Sequence, residues 1–134
     1  MRVLLTVVVA ALMTAGAAVA GVTGAHFVGS PTASISGNTL TVAGKVAGLG
    51  AVEQINVTVT ADAACINPGS HKPKAANKES FSAMGDFPVQ NGKAEFSLDL
   101  TATFQPDCTP PMTVVWSNIV ITVTAPGVSL TATP

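Results

Sequence analysis

The side chains able to do chemistry are few, and many of them crowd into one stretch, ACINPGSHKPKAANKES, residues 64–80. It holds Cys65, His71, Lys72, Lys74 and Lys78, along with Pro68 and Pro73. Histidine titrates near neutrality and is the commonest metal ligand, but His71 and the other histidine, His26, stand far apart and neither sits in an H-x-x-x-H spacing. His26 offers one metal-binding alternative. Were the chain cut after Ala25, its imidazole and the new terminal amine would form a copper chelate, as in exported copper proteins, provided another imidazole or carboxylate lay nearby. Glycoside hydrolysis needs two carboxylates across a cleft, whereas Asp86, Glu95 and Asp99 fall on outward strand positions or hairpin flanks, and Asp107 adjoins Cys108. No set of nucleophile, base and orienting acid can be assembled. The expectation is a protein that is not an enzyme and carries no cofactor.

Charge narrows the partners. The formal net charge is −1, and about −2 once Arg2 is removed with a leader, which gives no field to gather nucleic acid. Lys72, Lys74 and Lys78 offer a modest, salt-sensitive attraction to an anionic polymer such as a cell-wall phosphate polymer or an acidic glycan.

The chain opens as MRVLLTVVVAALMTAGAAVAG. One basic residue, an apolar run and an Ala18-Val19-Ala20 end describe a secretory signal peptide over residues 1–20, with cleavage after Ala25 as the alternative. No stable membrane insertion is expected after cleavage. Residues 21–31 then form an extension, and residues 32–134 a single domain. Both cysteines, Cys65 and Cys108, lie in the exported part, where an even pair reads as a disulfide rather than a metal site.

Beyond residue 25 the apolar residues recur at period two, the signature of strands. Expected strands run over Thr32–Ser36, Leu40–Val46, with a bulge at Gly44, and Glu53–Asp62; others cover Phe81–Val89, Ala94–Phe104, Thr113–Thr124 and the residues after Gly127. Gly37-Asn38 and Pro126-Gly127 are turn signals, and Gln90-Asn91-Gly92-Lys93 predicts a hairpin between the strands on either side of it. The nearly continuous apolar run Val114 to Val123 predicts a central strand covered on both faces, with Trp116 in the core. About seven short strands with frequent turns predict an all-β fold, an antiparallel β-sandwich of immunoglobulin-like or fibronectin-like type. Thr-rich neutral strands also invite edge pairing, with Lys45 and Pro88 as possible blockers.

Tracing strand directions brings Cys65 and Cys108, placed in loops, to one pole. Their bond would staple the insertion from residue 66 to 78 against the proline-rich segment from Gln105 to Pro111. A connection that long is uncommon in a hairpin and tends to be functional. Asn67, His71, Lys72, Lys74, Asn77, Lys78 and Asp107 are therefore the expected contact residues.

The segments VAGLG, CINPGSHKPKAANK, GDFPVQNGKAEFSL and TFQPDCTPPMTVVWSNIVITV resemble a group of small secreted actinobacterial proteins of unknown function. The resemblance implies a single exported domain with Cys65 and Cys108 paired, and it brings no activity or ligand with it. The function expected is that of a secreted, non-enzymatic binding or structural module. Its partner would be a cell-envelope polymer or an extracellular protein.

Overall fold

The structure is a computed structural model that describes residues 24–67 and 78–134. Within them eight strands form two antiparallel sheets. They are β1 (His26–Phe27), β2 (Thr32–Ser36), β3 (Thr39–Ala47), β4 (Gln54–Ile66), β5 (Lys78–Pro88), β6 (Ala94–Thr101), β7 (Thr113–Ala125) and β8 (Val128–Ala132).

β3 is the middle of the first sheet. Residues 39–43 pair with both β2 and β6, and Val46 pairs with both Phe27 and Ala94, so β1 and β2 follow one another along one side of β3 while β6 takes the other. The second sheet runs in the order β5-β4-β7-β8. The two sheets stack as the expected immunoglobulin- or fibronectin-like sandwich, closed at one end by a disulfide.

Alternation explains the stacking. Ile55, Val57 and Val59 on β4 are fully buried, while Asn56, Thr58 and Thr60 on the opposite parity face outward. Leu40, Val42 and Val46 on β3 and Phe96 and Leu100 on β6 supply the facing layer. Each such aliphatic side chain stabilises the fold by about 1.5–3 kcal/mol relative to exposure.

The turns follow their glycines. Gly37 alone has positive φ in the β2–β3 turn, at 59°, as a Gly-first II′ turn requires, and Asn91 and Gly92 are both positive, at 55° and 75°, as type I′ requires. That second turn is closed by two backbone hydrogen bonds between Gln90 and Lys93. The expected hairpin does not form a β5–β6 ladder, because β5 belongs to one sheet and β6 to the other; the turn carries the chain across the sandwich.

Three further expectations are corrected. Gly44 is no bulge, since the β3–β6 register passes through it unbroken. Its missing side chain makes room for Phe96, whose ring would stand 2.6 Å from an added Cβ. Cys65 lies within β4, not in a loop. And β7 is covered on one face only. Between the Thr60–Val120 and Asp62–Ser117 pairs, β7 carries one residue more than β4, and Asn118 there takes φ 52°, in the left-handed region asparagine tolerates. Inward parity consequently changes along the strand. Trp116 points in before the bulge and Ile121 and Val123 after it, while Val115 is left 45% exposed.

Candidate functional site: the disulfide pole

Cys65 and Cys108 are joined, with their Cα atoms 5.8 Å apart. β4 reaches the pole from below, β6 climbs back to it after the Asn91-Gly92 turn, and the segment between β6 and β7 lies across it. Asn38, in the β2–β3 turn, donates from Nδ2 to the Cys108 carbonyl at 3.4 Å, and its own carbonyl accepts from Ala102 N at 2.8 Å. The Met112 thioether is 3.7 Å from Cys65 Sγ. A cystine sulfur has no proton to give, so this contact is dispersion.

Beneath the bridge lies an aromatic cluster. Phe81 meets Phe104 and Trp116 edge-on, at centroid distances of 6.1 and 5.8 Å, the arrangement ring quadrupoles favour. Trp116 is 9% exposed, as the sequence predicts for a core residue, and its buried indole N–H has no hydrogen-bond partner among the described residues.

Of the expected contact residues, Asn67 and Asp107 are exposed and flank the two cysteines, and Lys78 is exposed at the start of β5, opposite Ala64 in the ladder. The bridge therefore brings Asn67 and Asp107 to one end. His71, Lys72, Lys74 and Asn77 lie outside the described residues.

Next to the bridge, the outer face of the second sheet has an open depression of about 510 Å³ lined by residues including Asp62, Lys78, Ser80, Val115, Ser117 and Asn118. Asp62 is its organising group. Ser80 Oγ donates to one carboxylate oxygen at 2.7 Å and Asn118 Nδ2 to the other at 2.9 Å. These bonds, Asn118 first, favour the ionised form and hold the carboxyl below its ordinary pKa. A carboxylate so held is a poor proton donor and a weak base near neutrality, but a fixed acceptor for hydroxyl or ammonium groups.

The sequence does not single out Asp62. Its partners come from β5 and β7, and the Asn118 contact depends on the bulge. An alternation-breaking Ser117-Asn118 pair inside an otherwise apolar strand is the signal that marks the place.

His26 sits on β1 near the opposite pole, paired with Ala47, and its Nδ1 donates to the Gly24 carbonyl at 2.7 Å. Among the described residues no group of three or more His, Cys, Asp or Glu side chains is placed to hold a metal ion. No helix among them is long and apolar enough to cross a membrane.

No protein-family model matches the chain, and no curated protein matches it. Among solved structures, the chain is similar to the solution structure of R. palustris CsgH, at 13% identity, over 81% of this chain and 88% of that one, with a TM-score of 0.42.

Proposed function

We propose that the protein is a secreted, non-enzymatic β-sandwich module that binds an envelope polymer or an extracellular protein through its disulfide-braced pole. The observation that carries this reading is the Cys65–Cys108 bond. It ties the irregular segment between β6 and β7 to the end of β4, next to Asn67 and the start of the 68–77 connection. A surface fixed before contact loses little ordering entropy on binding. An intact disulfide also fits an oxidising compartment, which accords with the leader read from residues 1–20.

Anionic envelope polymer is the partner class favoured, because Lys72 and Lys74 fall in the 68–77 connection and Lys78 opens β5 directly after it. Rim charges of this kind act on encounter and on salt dependence more than on buried affinity. The test is retention of the purified protein on its own cell-wall material across a salt series. Substituting Lys72→Ala and Lys74→Ala together is expected to weaken retention several-fold at low salt and to flatten the salt dependence. Retention that is equal for both proteins at every salt concentration rules out a charge-led contact.

A further inference from the structure

Every antiparallel sheet with open ends exposes rows of unpaired N–H and C=O groups, and proteins usually blunt such edges with short length, charge, proline or a bulge. Three of the edges here follow that rule. β2 and β8 are five residues each, and β6 carries Glu95 and Asp99, so that two copies of it repel.

β5 departs from it. It spans Lys78–Pro88 and, among the described residues, pairs only with β4, in a register that runs unbroken from Ala64–Lys78 to Gln54–Pro88. Between Ser80 and Gly85 it has no charge, proline or bulge. On its outer face Met84 stands 66% exposed. We propose that β5 is the contact for a second copy of this chain, pairing antiparallel about a twofold axis at Ser82 and joining the two second sheets into one continuous sheet.

Charge selects this register. Lys78, Ser80, Ser82, Met84 and Asp86 share the outer face, opposite the outward residues of β4. With the axis at Ser82, Lys78 of each copy faces Asp86 of the other, Ser80 faces Met84, and Pro88 lies beyond the paired segment. An axis at Phe81 would set Lys78 against Met84. One at Ala83 would bring Pro88 into the ladder opposite Lys78, where it has no N–H to give. Opposite charges facing across strands stabilise a pair and like charges destabilise it. The low charge of the whole chain adds little repulsion between copies.

Pairing along one edge is expected to bury less than the roughly 1,200–2,000 Å² of a stable specific interface, so the dimer is expected to be weak, with micromolar or higher Kd. Sedimentation of the purified protein over a concentration series reads it directly. Asp86→Lys sets lysine against lysine at both symmetric positions and is expected to raise Kd about tenfold or more. Lys78→Asp combined with Asp86→Lys restores the opposite pairing and is expected to return Kd to within a few-fold of the parent. Thermal unfolding of each variant separates a lost contact from a lost fold. A parent that stays monomeric up to about 1 mM overturns the proposal. So does a dimer whose Kd ignores the charge reversal, which would place the contact on another surface.

Discussion

Gly44 shows how a single residue sets the packing. Phe96 fills the space a side chain at 44 would need, and Phe96 is itself held edge-on by Phe27 at 6.5 Å and Phe87 at 6.3 Å. The ring has nowhere to go. Gly44→Ala is therefore expected to destabilise the fold by about 1–3 kcal/mol, seen as a lower urea midpoint at unchanged slope. Asp62 supplies a second test at this scale. Its folded-state pKa is depressed, so its contribution to stability is present above the unfolded-state pKa and is lost as pH falls through the folded value. Carboxyl NMR titration should find Asp62 below the ordinary aspartate range. Asn118→Gly, which keeps the φ of 52° accessible while deleting the donor, should move the midpoint up. An unmoved midpoint would assign the depression to Ser80 alone.

At the scale of the strand, what could be foreseen and what could not have the same cause. β4 keeps one parity from Ile55 to Cys65, so its inward face is legible residue by residue in the sequence. β7 does not. Its inward side falls on Trp116 before Asn118 and on Ile121 and Val123 after it, and superposing two alternations of opposite phase yields the unbroken apolar run that suggests burial on both faces. The I′ turn at Asn91-Gly92 was readable because its dihedrals demand those residues; that it crosses from one sheet to the other was not, since a turn's chemistry does not say what its arms pair with. The meeting of Cys65 and Cys108 at one pole followed from counting strand directions. The Asp62 cluster escaped because it needs two registers, β4 with β5 and β4 with β7, and the bulge in the second. The strand-end bridge has its own test. Replacing Cys65 and Cys108 by Ala removes the constraint on a separation of 43 residues and should cost about 4 kcal/mol in denaturant unfolding on the chain-entropy account.

The two poles of the sandwich are built differently. One gathers the cystine, the aromatic cluster and the Asp62 depression; the other is made of β1, the 48–53 connection and the Asn91-Gly92 turn, where Leu49 N bonds Gly92 O at 3.0 Å. If the first pole is the binding surface, substitutions at Lys93 or Glu53 should leave retention on cell-wall material unchanged, whereas Asp107→Ala, beside Cys108, should alter it. Equal effects at both ends would remove the distinction. The pairing of β4 with β7 carries a kinetic consequence. It joins residues as distant as Asn56 and Thr124, about 68 apart along the backbone, while the path through the cystine is only about 26. Shortening a loop by that ratio lowers the entropy of closing it by about 1 kcal/mol. Stopped-flow renaturation of the oxidised protein should therefore run roughly fourfold faster than that of the reduced one, so that a bridge formed before folding would hasten the longest-range pairing in a topology this non-local.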